Sequence, residues 1–279
     1  MTEVVQERPR AKSLSRSPRV KSKGLPKPVL GLIGVLVFLA LWELMPVLGI
    51  VKAKYLPPAS EVLTALVADL GMTAFWVAVG ETMTAWALGL AIAVVLGLVL
   101  GLVIGMSPFL RRFTNSTIEF LRPIPSVALI PLAVLLFGMK IESSLLLIVY
   151  ACFWQVLIQV LYGVADVDNV AMQTARSYGF SYWQRVRDVV FPTMLPYLMT
   201  GIRLAASVAL ILAITAELLI GSPGLGNEIT LAQSGGAIAG MYALILATGF
   251  LGVGINGVTR VVEKRVLSWH PSIRGEVTP

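Results

Sequence analysis

Residues 82–106 read TMTAWALGLAIAVVLGLVLGLVIGM, a run without a single charged side chain. A bilayer core about 30 Å thick is crossed by about 20 apolar residues in a helix, and lipid offers no partner to an unpaired backbone group. The run therefore reads as a membrane-spanning helix. Gly89, Ala93, Gly97, Gly101 and Gly105 recur within it at every fourth position. That spacing puts small residues on one face, where a neighbouring backbone can approach closely. It does not say which helix the neighbour is.

Five further stretches qualify on the same ground, near residues 29–50, 118–137, 143–164, 195–220 and 237–259. The expected fold class is all-α, a polytopic membrane protein with six transmembrane helices. Composition agrees: 57% of the 279 residues are hydrophobic and 13% are charged, against roughly 25% charged in soluble domains. Cys152 lies inside an apolar run and His270 is the one histidine. A disulfide framework is excluded, and a zinc site built from His and Cys is disfavoured.

The net charge of +7 would suit a nucleic-acid partner, but its distribution argues against one. Eight of the 22 basic residues fall between Arg8 and Lys27, in a Ser- and Pro-rich stretch without apolar periodicity. Residues 1–28 are expected to be a disordered basic cytoplasmic tail, with a transit peptide as the other reading. With the N-terminus inside, the inner segments also collect Arg111, Arg112, Arg176, Arg185, Arg187, Arg260, Lys264, Arg265 and Arg274, whereas the outer loops hold only Lys52, Lys54 and Lys140. This asymmetry puts both termini in the cytoplasm. A permease domain over 29–268 and a short cytoplasmic tail over 269–279 complete the expected layout.

Polar residues inside the spans are candidate path residues, because a mid-bilayer charge costs about 2.5–3.5 kcal/mol on insertion scales. Gln155 and Gln159 share one helix face, as do Arg203 and Ser207. Pro123 and Pro125, with Pro131 beyond them, open or kink the third span. Arg203 reads either as an interior residue or as a side chain snorkelling to the inner interface. Glu217 reads either as interior or as an outer-interface residue. On the outer side, Ser60 is expected to cap a short interfacial helix with apolar residues at 62, 63, 66, 67 and 70.

The inner segment 165–192 is the longest cytoplasmic loop. Gly179 is a natural stop for one short helix. Ser181 can start a second over residues 182–190, which Pro192 is expected to end. Tyr178, Phe180, Tyr182 and Trp183 cluster at the turn beside Arg176, Arg185 and Arg187, which makes a docking knob.

This segment resembles the EAA loop of binding-protein-dependent ABC importer permeases: Glu-Ala-Ala, three residues, Gly, nine residues, Ile, one residue, Leu-Pro. Ala175 matches the second alanine, Gly179 the glycine, Val189 the isoleucine, Phe191 the leucine and Pro192 the proline. Gln173 stands for the glutamate and Thr174 for the first alanine; Gln173 can hydrogen-bond but cannot form an ion pair. Further stretches are similar to the permeases for nitrate, sulfonate and taurine: residues 56–63, Arg122-Pro123-Ile124-Pro125, Ile130-Pro131-Leu132-Ala133, residues 196–203 and Gly224-Leu225-Gly226.

The resemblance implies a type I ABC importer-like permease fold in the bacterial inner membrane and a non-catalytic subunit that carries no cofactor. ATP and Mg would be bound by partner ABC ATPase subunits, consistent with the lack of a Gly-x-x-x-x-Gly-Lys-Ser/Thr pattern. It also implies a periplasmic or lipid-anchored solute-binding protein, a homodimer of the permease, and membrane lipid as the surrounding phase, with no nucleic acid. The residues carried over to ATPase coupling are Gln173, Ala175, Arg176, Gly179, Phe180, Tyr182, Trp183 and Pro192. The alternative is a secondary transporter or channel with no ATPase partner, which would explain the spans but not the glycine-centred loop. An intramembrane enzyme is disfavoured, since neither His-Glu-x-x-His nor Gly-x-Ser-x-Gly occurs.

Overall fold

The computed structural model describes residues 27–269. The basic stretch 1–26 and residues 270–279, with His270 and Arg274, lie outside them, so the disordered-tail expectation falls outside the described residues. Those residues form helices and connections only: α1 (Lys27–Val47), α2 (Ala59–Leu70), α3 (Thr73–Met106), α4 (Pro108–Leu121), α5 (Ile130–Phe137), α6 (Ile141–Ala165), α7 (Asn169–Ser177), α8 (Tyr182–Arg185), α9 (Phe191–Ile220), α10 (Leu225–Ser234) and α11 (Ile238–Val266).

Five continuous helices among them are long and apolar enough to cross a membrane: Val29–Val47, Thr73–Met106, Ile141–Ala165, Tyr182–Ile220 and Ile238–Val266. The sixth expected span, 118–137, is not one helix. α4 and the segment Ser126–Phe137 meet at an angle of 81°, and only as a broken pair do they make a sixth crossing. The reason is local. Pro123 and Pro125 remove two helical donors on either side of Ile124, and the chain restarts as a 3-10 turn over Ser126–Leu129 before α5. Pro131 sits in the first turn of α5, where a missing N–H costs nothing.

The core is a three-helix stack in which α6 lies between α3 and α9. The small-residue stripe finds its neighbour within the same chain. A Cβ added at Gly89 would fall 2.5 Å from Cγ2 of Ile148; at Gly97, 2.8 Å from Cβ of Val156; at Gly101, 2.6 Å from Cγ1 of Val160; and at Gly105, 3.0 Å from Cβ of Val164. Glycines in steps of four on α3 thus receive a ridge of branched side chains in steps of four on α6, which fixes these two helices as parallel neighbours. Gly163 and Gly201 do the same between α6 and α9, where Met194 and Gln159 approach.

A second cluster packs α2 and the start of α3 against α10 and α11 through Val62, Leu66, Phe75, Leu225 and Leu244. Only part of the expected apolar face of α2 is used: Val62 and Leu66 are buried, while Leu63, Val67 and Leu70 are exposed. The cap also differs. Pro58 holds the cap position, and Ser60 instead donates from its N–H and its Oγ, both at 2.9 Å, to the Glu43 carboxylate of α1. A carboxylate from another helix thus serves the start of α2, which suits the positive end of a helix dipole. Beyond this contact and the bond from Trp42 Nε1 to the Pro57 carbonyl at 3.0 Å, α1 is little covered by its own chain.

Candidate functional site

Three polar constructions stand out in this apolar bundle. The first is the segment between α6 and α9. Asp168 caps α7 by accepting from the Val170 N–H at 2.9 Å. α7 ends on Gly179, whose φ of +73° is the left-handed value that favours glycine. The N–H of Phe180 bonds the Ala175 carbonyl and that of Gly179 bonds the Arg176 carbonyl, both at 3.0 Å, the paired closure of a Schellman turn. Ser181 then starts α8 with a reciprocal capping box to Gln184.

The expected stop at Pro192 is wrong. Residues Val186–Val190 form a π-turn, in which the Phe191 N–H reaches back to the Val186 carbonyl, and the helix runs on into α9. Widening by one residue immediately ahead of Pro192 lets the ring enter the first turn of α9 rather than collide with a regular one. The helix that begins at Tyr182 is therefore continuous with the span that ends at Ile220.

At the turn Tyr178, Phe180, Tyr182 and Trp183 are all exposed, Tyr178 by 79% and Trp183 by 77%. Gln173 and Arg176 are exposed beside them, Ala175 is buried and Pro192 is half-buried. The segment is tied to the bundle at both sides: Tyr182 Oη lies 3.6 Å from Met106 Sδ at the end of α3, and Tyr197 Oη donates to Asp166 at 3.0 Å.

The second construction is a cleft of about 260 Å³ at the break between α4 and α5, walled by α6. Its polar lining is Arg122, Ser126, Tyr150, Trp154, Gln155 and Gln159. It adjoins a larger hollow of about 470 Å³ that shares Arg122 and Tyr162 and is lined also by Pro123, Arg111 and Glu119. Tyr150 Oη donates at 2.6 Å to the Leu121 carbonyl, which has no N–H at Pro125 to accept from and otherwise takes the Ile124 N–H at 3.2 Å. Pro125 caps the 3-10 turn.

Gln155 and Gln159 are thus brought together as their spacing implied. Arg203 is not among the residues lining either hollow; its guanidinium donates to Glu263 of α11 at 3.1 Å. Ser207 bonds back to the Arg203 carbonyl at 3.4 Å. The cation of the cleft is Arg122. Tyr150 and Trp154 went unnoticed in the sequence, although Tyr150, Trp154, Ile158 and Tyr162 recur in steps of four next to the glutamines.

The third construction is Glu217, which is interior and 1% exposed. Its Oε2 accepts from Thr82 Oγ1 and from the Gly226 N–H, each at 2.9 Å, and Thr82 Oγ1 in turn accepts from the Leu225 N–H at 2.9 Å. A Cβ at Gly226 would fall 2.6 Å from Cβ of Glu217, and one at Gly224 would overlap the carboxylate itself. The Gly224-Leu225-Gly226 run is thus backbone wrapped around a buried acid, pinning α10 to α3 and α9. Replacing Glu217 by Ala orphans the Gly226 N–H and the Thr82 hydroxyl, and is expected to destabilise the fold by about 1–3 kcal/mol. A thermal unfolding shift in detergent measures it; an unchanged midpoint would show that the pin carries no load.

Comparison with known proteins gives these features a context. Residues 93–268 match the family described as the binding-protein-dependent transport system inner membrane component. The chain belongs to this family. The matched region holds the whole segment from α7 through α9 and both α6 glutamines. The taurine transport system permease protein TauC of Escherichia coli K12 is 31% identical over 255 residues, covering 87% of this chain and 90% of that protein. The nitrate import permease protein NrtB of Synechococcus elongatus is 26% identical, covering 60% of each.

A chain of the MetNI methionine ABC transporter, solved in inward-facing conformations, superposes with a TM-score of 0.59 at 18% identity. It covers 70% of this permease and 97% of that chain, a likeness of fold alone. The protein is accordingly a multi-pass, non-catalytic permease component of an ABC transporter, a role that implies an ATPase and a solute-binding protein as partners.

Proposed function

We propose that this permease forms the translocation path of an ATP-driven importer for a small oxyanion of the sulfonate, taurine or nitrate kind, delivered by a binding protein at the outer face of a bacterial inner membrane. The observation that carries the coupling half of this reading is the exposed aromatic turn at Gly179. Four aromatic side chains held out from a capped helix–turn–helix form a surface that needs a partner. Gln173, Ala175, Arg176, Gly179, Phe180, Tyr182, Trp183 and Pro192 make up the segment 165–192 that seats on the ATPase, which binds ATP and Mg. Because Tyr182–Ile220 is one helix, a displacement of the seated turn passes directly into a core span. ATPase closure and solute delivery then favour different states of the bundle, the condition for coupled transport.

The path runs along the α4–α5 break, past Pro123, Pro125, Gln155 and Gln159, with Arg203 and Ser207 on α9 contributing where α9 meets α11. Arg122, Pro123 and Pro125 are exposed in the single chain. Irregular backbone and a charge at membrane depth are tolerated only against protein or water, which supports a homodimer closing over this face. Both termini lie in the cytoplasm, with the tail 1–28, the permease domain 29–268 and the terminal segment 269–279 arranged accordingly. The relatives named for taurine and nitrate transport support the solute class.

Affinity purification from the native membrane in mild detergent tests the assembly. Stoichiometric recovery of an ABC ATPase, and of two permease chains per complex, is expected. A chain that purifies alone and moves solute in liposomes without ATP would overturn the reading.

A further inference from the structure

In the cleft beside α6, Arg122, Trp154, Gln155 and Gln159 are linked by one property: none makes a side-chain hydrogen bond or ion pair with another described residue. The ion pairs of the described residues are Arg187–Asp188 and Arg203–Glu263, and neither involves Arg122. Trp154 Nε1 is buried without any hydrogen-bond partner. Outside this cleft, the polar side chains of Thr82, Ser143, Ser144 and Arg203 bond to protein groups, and Glu217 does so through one oxygen while its Oε1 is the other buried polar atom left without a partner among the described residues. A buried donor left unpaired costs free energy, and beside the Trp154 indole the half-buried Gln155 and Gln159 and the exposed Arg122 line one hollow with donors that no protein group uses, a place where something else supplies acceptors.

The chemistry of that acceptor follows from the lining. Guanidinium and indole N–H groups are donors only, the two amides each carry an NH2 group, and Ser126 adds a hydroxyl. No carboxylate lines this cleft; Glu119 belongs to the adjoining hollow. A cation would meet only repulsion from Arg122, and an uncharged apolar solute would leave every donor unmet. A compact oxyanion, with several acceptor oxygens around one centre, matches both the charge and the donor excess.

Position agrees. The lining residues of α6 run from Tyr150 to Tyr162 in a helix that spans Ile141–Ala165, with the unpaired donors between Trp154 and Gln159. That places the donors Trp154 to Gln159 roughly 20 Å from one end of α6 and roughly 9 Å from the other, at 1.5 Å per residue, while the cleft itself extends to roughly 5 Å from the second end. This is a depth at which a solute in transit has left any delivering protein and has not reached the opposite side.

We infer that Arg122, Trp154, Gln155 and Gln159 form an oxyanion subsite within the permease itself, which selects sulfonate- or nitrate-like head groups after release from the binding protein. Arg122 supplies charge from the break between α4 and α5, and the α6 side chains supply directed donors. The inference rests on the proposed solute class and adds a selectivity step inside the membrane.

The test uses the complete transporter, with its own ATPase and binding protein, in proteoliposomes. Uptake of labelled taurine and of nitrate is measured alongside ATPase stimulation by the binding protein. Arg122→Ala is expected to lower anion uptake about tenfold or more, because a charge-assisted contact is lost. Arg122→Lys should keep part of the rate. Gln155→Glu, nearly the same shape, should lower uptake to a similar degree by setting a negative charge against the anion. In all three, complex recovery and ATPase stimulation should stay within about twofold of the parent, the mark of a lost path interaction rather than lost assembly.

Unchanged uptake in Arg122→Ala and Gln155→Glu, with the parent active, overturns the subsite and leaves the solute class standing. A parallel fall of ATPase stimulation and uptake in every variant overturns it in favour of a packing role. A parent transporter whose ATPase responds to its binding protein but which takes up neither anion overturns the solute class and the subsite together, while the permease role survives.

Discussion

Gly97→Leu and Gly101→Leu are each expected to abolish recovery of a folded, monodisperse permease, whereas Gly80→Leu on the same helix is expected to be tolerated. The contrast is geometric. At Gly97 the first added carbon would meet Val156 Cβ at 2.8 Å and the Leu157 backbone N at 3.1 Å; at Gly101 it would meet Val160 Cγ1 at 2.6 Å. At Gly80 nothing lies within 4 Å. Real Cβ contacts essentially never close below 3.0 Å, and at Gly97 the tight neighbour at 3.1 Å is backbone, which cannot swing aside. The helices must part, and every neighbouring step of the ladder parts with them.

Overpacking a close-packed core commonly costs about 1–3 kcal/mol. Here the added group is larger than a methylene and the contact lies between the helices that make most of the core, so the upper end or beyond is expected. Size-exclusion profiles and thermal midpoints of the three variants check this. The interaction is also separable: Gly97→Ala alone should lower the midpoint, and Val156→Ala in the same chain should restore part of it, since trimming the opposing side chain opens the space. Independent, additive effects of the two changes would show that Gly97 and Val156 do not meet.

What made this ladder legible is that it is one-dimensional. A stripe of small residues in steps of four identifies a face from sequence alone, and only the identity of the opposing helix needs three dimensions. The spans were legible for the same reason, because apolar length is a local property, and so was the turn at Gly179, where φ and capping are set by adjacent residues. The illegible parts depend on partners far away in the chain. Arg203 and Glu263 are sixty positions apart, and nothing local in either announces the pair. Glu217 has its hydrogen-bond partner Thr82 on α3 and is enclosed by a glycine run nine residues on, so its burial could not be told from an interfacial site.

Other misses concern how helices absorb proline. At Pro123 and Pro125 two lost donors within one turn broke a helix that apolar length alone made continuous. At Pro192 one lost donor was absorbed by a π-turn, and the helix continued. The same residue type gave opposite outcomes: Pro123 and Pro125 stand two residues apart within one turn and the helix breaks, whereas α9 carries Pro192 behind the π-turn and Pro196 one turn further on and stays continuous. The candidate path residues divided along the same line. Gln155 and Gln159 share a face by spacing and line one cleft, whereas Arg203 on α9 turns to Glu263 of α11, a partner that spacing does not show.

Gly179→Asp is expected to leave the permease inserted and folded, to abolish ATP-coupled uptake, and to prevent recovery of the ATPase with the complex. The separation of folding from docking is favourable at this position. A Cβ there meets nothing within 4 Å, and aspartate and asparagine tolerate left-handed backbone better than other residues with a side chain. The φ of +73° therefore imposes a strain of roughly 1 kcal/mol on the turn, too little to unfold a helix closed by two backbone hydrogen bonds and followed by a capping box. What changes is the surface. A carboxylate is placed among Tyr178, Phe180 and Trp183, side chains that in the proposed docking shed water to seat on the ATPase, and a charge without a counter-charge in such a contact is strongly disfavoured.

Gly179→Asn has nearly the same shape and backbone tolerance but no charge, and it should retain a substantial share of ATPase recovery and uptake. Equal loss in both variants would place the effect in the backbone of the turn. Wild-type uptake in Gly179→Asp would remove the aromatic turn from the coupling surface altogether. Loss of docking in Asp with retention in Asn requires that the turn itself be buried against the ATPase. With Tyr182–Ile220 a single helix, that outcome would make the proposed contact the place where the work of nucleotide closure enters the span.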